Sequence, residues 1–254
     1  MEPVLKVENL TKVFSRGGQQ DFTAVDHISF ELMPGECLGI IGESGSGKTT
    51  VVNMVTRLLD VTEGRIVLDG EDITHSKGAQ LRKAYQKMQM VFQTPTDSFD
   101  PRCTLGDGIG ESLRNHGMSA GETKKRVEEL LQMCGLSAEF AGRYPHQVSG
   151  GQCQRAAIAR ALAIQPKLLI CDEATSSLDV TVQKEVLALL RELRGQQGTG
   201  LSILFICHDI ALVQEFCDRV LVLYHGDIVE QGIPDDVIQN PQNEYTKRLI
   251  DSIL

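Results

Sequence analysis

The chain has 254 residues, 41% hydrophobic and 23% charged, with a formal net charge of −9. That is enough for one large domain, or one domain carrying an insertion, with a sizeable buried core, and the acidic balance argues against nucleic acid or anionic lipid as a direct partner. No run approaches the ~20 apolar residues of a membrane-spanning helix, and the start offers no leader-like basic and apolar regions, so the expected location is cytoplasmic.

Short β-rich runs come first, at residues 5–10, 28–32 and, after the Pro34-Gly35 turn, 37–41. A glycine-rich loop leads into a helical segment over 48–59, and 65–68 and 88–92 read as further strands. Between 95 and 165 apolar residues recur at helical spacing, in Val127, Leu130, Leu131 and Cys134, then Ala156, Ile158, Ala159 and Leu162. Beyond that block, strands at 168–171, 202–207, 219–223 and 227–230 alternate with helices at 180–193 and 209–216. Near-continuous apolar strands alternating with helices predict a mostly parallel sheet covered on both faces. The fold class is α/β: a single domain over 1–254, its core formed by 1–94 and 166–254, with an antiparallel β region near the N-terminus and a helical subdomain inserted at 95–165. Seven cysteines include no CxxC pair, which suggests neither a disulfide framework nor a zinc knuckle; Cys37, Cys171 and Cys207 lie in apolar runs and are expected to be buried thiols.

The segment Gly42-Glu43-Ser44-Gly45-Ser46-Gly47-Lys48-Thr49, followed by Thr50, satisfies G-x-x-x-x-G-K-[ST] between a strand and a helix. Its glycines let successive N–H groups curl around one anion, and the helix adds its positive end. Lys48 is placed to reach β- and γ-phosphates and the Thr49 hydroxyl to ligate Mg²⁺. A second motif ends an apolar strand in Asp172-Glu173. Two acids at the carboxyl edge of a parallel sheet sit where ligands of such sheets collect. Asp172 is suited to hold Mg²⁺ and Glu173 to polarise an attacking water near the γ-phosphate. Alone, such a pair is more often a solvated turn; downstream of a phosphate loop it is a candidate hydrolytic site.

Between these motifs lies Val148-Ser149-Gly150-Gly151-Gln152, which resembles the LSGGQ signature of ABC (ATP-binding cassette) ATPases, a branch of the P-loop NTPases, with Val in place of Leu. The resemblance implies that Ser149, Gly150, Gly151 and Gln152 meet the γ-phosphate of an ATP held by a second cassette, in a head-to-tail dimer. Four further positions match the family. Gln93 is similar to the Q-loop glutamine, which contacts Mg²⁺ or the lytic water. Ser177-Leu178-Asp179 is similar to the D-loop, which communicates between the two sites. His208 resembles the H-loop histidine at the γ-phosphate, and Phe14 the A-loop aromatic that stacks on adenine. Each also has a plainer reading: a polar loop residue, a helix cap at Asp179, a strand-end histidine, and a core aromatic at Phe14.

Ser98-Phe99-Asp100-Pro101-Arg102, and the tail Asn240-Pro241 with Tyr245-Thr246-Lys247-Arg248-Leu249, are similar to segments of peptide and nickel importer ATPases. Phe99-Asp100, Asn240 and Glu244 depart from the commonest form. The short tail resembles the second ATPase subunit of nickel or metallophore importers. That implies pairing with a different ATPase subunit, two transmembrane permeases and an extracytoplasmic binding protein, with the chain peripheral on the cytoplasmic face of the inner membrane. An export cassette, and a soluble ABC ATPase acting on DNA or ribosomes, are the competing readings. The segment between the phosphate loop and Asp172-Glu173 is too short for the coiled coil of the DNA-repair relatives.

Overall fold

The computed structural model describes residues 2–15, 21–176, 178–195 and 200–252. The first half runs β1 (Leu5–Phe14), β2 (Phe22–Leu32), β3 (Cys37–Ile41), α1 (Lys48–Val55), β4 (Glu63–Leu68), β5 (Glu71–Asp72), α2 (Gly78–Lys87) and β6 (Met88–Val91). Three longer helices follow, α3 (Leu105–Asn115), α4 (Ala120–Met133) and α5 (Gly150–Leu162). The chain then returns to β7 (Leu168–Asp172), α6 (Val180–Gly195), β8 (Ser202–Ile206), α7 (Ile210–Phe216), β9 (Arg219–Tyr224), β10 (Asp227–Gly232), α8 (Pro234–Gln239) and α9 (Glu244–Asp251).

Two sheets form among the described residues. The smaller has the order β2-β1-β4-β5 and is antiparallel throughout. The larger has the order β10-β9-β3-β8-β7-β6, parallel except for the β9–β10 pair. The mixed α/β expectation is borne out. Strand alternation explains how the larger sheet sits between two cores. Leu38, Ile40, Leu168, Ile170, Leu204, Ile206, Leu221 and Leu223 point to one face, packed with α1 and the small sheet. Cys37, Ile41, Leu169, Cys171, Ile203, Phe205, Val220 and Val222 point to the other, packed with α3 to α7 and α9. Cys37, Cys171 and Cys207 are all buried, as their apolar neighbours led us to expect.

The helices of the 95–165 block start for a visible reason. Thr104, Ser119 and Ser149 each cap one of them, with the side chain three residues on (Asp107, Glu122, Gln152) bonding back to the cap N–H. Elsewhere the structure departs from the sequence-based bounds. Helix α1 stops at Val55, short of the expected 59, because Thr56 Oγ1 bonds back to Val52 O and Arg57 turns to φ 60°. Helix α2 was not expected; its apolar face is short, with Leu81, Ala84 and Tyr85 packed on the core and most of the helix polar. Strands β1 and β2 are longer than predicted, and their register brings Phe14 opposite Phe22.

Candidate nucleotide site

The phosphate loop leaves β3 at Gly42, whose φ is 150°; a Cβ there would lie 2.2 Å from the Leu223 carbonyl oxygen. Gly47, at φ 111°, is pressed the same way against the Ala24 carbonyl, 2.7 Å from where a Cβ would stand. Both are required by backbone packing behind the loop. Gly45, at φ 82°, has nothing within 4 Å on its Cβ side and faces open space. Lys48 is only 4% exposed, and its Nζ donates to Gly42 O (2.7 Å) and Glu43 O (2.9 Å). Burial lowers its pKa, and the charges of Glu173, Asp172 and Glu43 work the other way. A buried ammonium among acids and carbonyls is well prepared to accept a polyphosphate.

Strand β7 delivers the acids. Burial raises the Asp172 pKa, and Glu173 adds to it, against the opposing charges of Lys48 and His208. Those four side chains therefore form one electrostatic cluster. Glu173 sits in the left-handed region at φ 50°, a costly conformation for a residue with a Cβ, and its N–H is tied to Ile206 O of β8 at 3.0 Å. His208 follows β8, and its Nε2 meets Glu173 Oε1. The next residue, Asp209, caps α7 through the N–H groups of Ala211 and Leu212, which fixes the turn carrying the imidazole.

A cavity of about 280 Å³ joins these groups: Ser44, Gly45, Gly47, Lys48, Thr49, Thr50, Glu173 and His208 line it, with Phe14, Phe22 and Ala24 at one end. Phe14 and Phe22 are 37% and 46% exposed, so neither is a core aromatic. The Lys12 ammonium lies 5.1 Å from the Phe14 ring centroid. Phe22 was not singled out in the sequence; only the β1–β2 register reveals that it doubles the aromatic surface at Phe14. If the pair stacks on a base, Phe22→Ala should weaken ATP binding by about 1 kcal/mol or more, the scale of aromatic–base stacking. Calorimetric titration of the variant checks this, with Phe14→Ala beside it.

The other sequence candidates lie elsewhere. Gly42, Glu43 and Ser46 belong to the loop but do not line the cavity. Ser149 caps α5 and, like Gly150, is exposed; Gly151 is buried against α6, where a Cβ would lie 2.4 Å from Val182 Cγ1. Neither these residues nor Gln152 line the cavity. Asp179 accepts the Val182 N–H at 3.0 Å, so it does cap α6, while Ser177 lies outside the described residues. Gln93 is exposed two residues beyond β6, one strand over from the Asp172 edge, and is not part of the cavity lining. Among the described residues no cluster of three His, Cys, Asp or Glu side chains could cage a metal. The oxygen donors at hand, the Thr49 hydroxyl and the Asp172 carboxylate, fit a hard cation that keeps waters and borrows phosphate oxygens, which is the habit of Mg²⁺.

A strand, phosphate loop and helix, acids at the end of β7 two strands away in the same sheet, and a serine–glycine helix start in an inserted helical block together define an ATP-binding cassette. The family model for ABC transporters matches residues 25–176, and the chain belongs to that family. It is 44% identical over 259 aligned residues to the glutathione import ATP-binding proteins GsiA of Shigella dysenteriae and Escherichia coli O6:H1, covering 99% of this chain. The chain spans 41% of the length of those relatives. Among solved structures it is similar to cbiO1 from Clostridium perfringens, part of the ABC transporter complex cbiONQ (TM-score 0.83, 29% identity, 100% of this chain and 96% of that one). It is similar also to the dimeric cassette MJ0796 bound to ADP and Pi (TM-score 0.81, 31% identity, 91% of this chain and 98% of that one).

Proposed function

We propose that the chain binds and hydrolyses ATP as the nucleotide-binding subunit of an ABC importer for small peptides, with glutathione as the leading candidate. The observation that carries the ATPase reading is the partition of the motifs. One cavity gathers Lys48, Thr49, Glu173, His208 and the aromatic pair, while the exposed Ser149 tip lies outside it. Such a half-site is completed by the corresponding tip of a second cassette.

In this reading Lys48 exchanges its Gly42 and Glu43 carbonyl partners for the β- and γ-phosphates. Phe14 and Phe22 take the adenine. Thr49 and Asp172, with Gln93 brought in from the end of β6, would hold Mg²⁺, whose charge when bound draws electron density from the phosphate oxygens. Glu173 orients the attacking water and takes its proton, and His208 holds that carboxylate and reaches the γ-phosphate. Ser149 and the glycine N–H groups at the start of α5 grip the same phosphate from the partner. Loss of the γ-phosphate removes the contacts that favour the closed dimer, so hydrolysis opens it.

Among the described residues no helix is long and apolar enough to cross a membrane. The importer resemblance supports transport through separate permease subunits, with the chain docked at the cytoplasmic face. A groove of about 370 Å³, with Leu58, Tyr85, Phe92, Glu111 and Arg160 in its walls, suits a short permease helix. Arg160 links this groove to the signature helix: from α5 it donates to Ser98 O and lies 4.9 Å from the Phe99 ring centroid. Pairing with a different cassette and delivery by an extracytoplasmic binding protein follow from the importer resemblance. The glutathione importers among its relatives favour a peptide over nickel, and import over export. Two measurements test the proposal. Lys48→Ala should weaken ATP binding roughly tenfold to a hundredfold, the cost of losing a charge-assisted bond. Disrupting the subunit in cells should lower uptake of labelled glutathione and spare labelled nickel. Wild-type ATP affinity in the variant would sink the first part, and unchanged glutathione uptake the second.

A further inference from the structure

The C-terminal segment marked in the sequence by Tyr245 reaches the phosphate loop. Helix α9 begins at Glu244 behind an Asn243 cap, and the Glu230 carboxylate of β10 accepts the N–H groups of Gln242 (2.8 Å) and Asn243 (3.1 Å), which seats the helix start. Tyr245 is 4% exposed; its ring stacks on Tyr224 at the end of β9, with centroids 3.9 Å apart and planes at 27°. Its hydroxyl oxygen accepts the backbone N–H of Glu43 at 2.9 Å. Burial holds the phenol above its ordinary pKa, so this oxygen belongs to a neutral hydroxyl around neutral pH.

The Glu43 N–H and the Gly42 carbonyl are the two ends of one rigid peptide plane. The carbonyl end accepts Lys48 Nζ at 2.7 Å; the amide end is held by Tyr245. The glycine that makes the sharp turn also leaves this plane easy to rotate, because Gly42 at φ 150° lacks the side chain that would restrict it. We propose that Tyr245 is a positioning residue for the phosphate loop, fixing the Gly42–Glu43 peptide through the Glu43 N–H and thereby the starting position of the Lys48 ammonium. The inference rests on the reading of Lys48 as the lysine that meets the β- and γ-phosphates.

Tyr245→Phe keeps the ring, its burial and the Tyr224 stack, and removes only the acceptor. ATP should bind the variant about five- to tenfold more weakly, the scale of one lost hydrogen bond. AMP, which has no β- or γ-phosphate, should bind as to the wild type. Amide hydrogen exchange should rise in residues 42–48 while α9 and β9 stay as protected as before. Unchanged ATP affinity in Tyr245→Phe would overturn the inference. So would equal weakening of ATP and AMP with loss of protection in α9, since that marks Tyr245 as part of the packing alone. Lys48→Ala, titrated alongside, separates the two layers: if it fails to weaken ATP relative to AMP, the phosphate role of Lys48 itself is wrong.

Discussion

Glu173→Gln should lower ATP turnover about 10²- to 10⁴-fold, the range for loss of a positioned general base, while ATP still binds. The amide is nearly the same size as the carboxylate and can still pair with His208, so the packing at the end of β7 survives. What it loses is the ability to accept a proton from water. The backbone makes the position demanding: Glu173 is held at φ 50° with its N–H on Ile206 O, which aims its side chain toward the cavity that also holds Lys48 and Thr49. A variant that cannot finish hydrolysis should collect as an ATP-bound closed dimer, visible as a shift in sedimentation or gel filtration with ATP and Mg²⁺. Wild-type turnover in Glu173→Gln would remove that residue from the chemistry and leave the role to another group.

The second large effect is expected at a residue outside the cavity of its own chain. Ser149→Arg should leave ATP affinity of the isolated chain nearly unchanged, because Ser149 does not line that chain's cavity. Turnover should still fall by about 10² or more, on the scale of losing one preorganised donor to a developing oxyanion. ATP-dependent association should be lost as well. Part of the cost is local, since the cap on α5 goes with the serine, at about 1 kcal/mol. A thermal melt measures that part separately. If Ser149→Arg instead abolished ATP binding by the monomer while the melt stayed normal, the division of the site between two chains would be refuted.

The phosphate loop, the Asp172-Glu173 strand end and the SGGQ start of α5 were legible because each is a contiguous run whose chemistry depends on local geometry. Their assembly was less so. Phe22 escaped notice because an aromatic at a strand start is ordinary, and only the β1–β2 register, with its bulges between Val7 and Val13, sets it opposite Phe14. Helix α2 was missed because its apolar stripe, Leu81, Ala84 and Tyr85, spans barely one turn among polar residues. The end of α1 was overestimated, since Leu58 and Leu59 continue the apolar pattern while Thr56 and Arg57 end the helix through the backbone. Tyr245 was visible as a subfamily marker, but nothing local to residues 240–249 says that they close against residue 43. Contacts that distant in sequence have no period to announce them.

The reciprocal cap at the head of α5 has a consequence for how two cassettes would meet in the proposed dimer. A serine hydroxyl has two lone pairs and one hydrogen. Ser149 spends a lone pair on the Gln152 N–H, 3.3 Å away, and so keeps its hydrogen free to offer to a phosphate. The tip can therefore engage an incoming nucleotide without uncapping its own helix. On the other side of that proposed interface, Lys48 has two of its three N–H donors on carbonyls and must trade them to grip a phosphate fully. The work of switching is lopsided, with a ready-made jaw on one subunit and a latch to be released on the other.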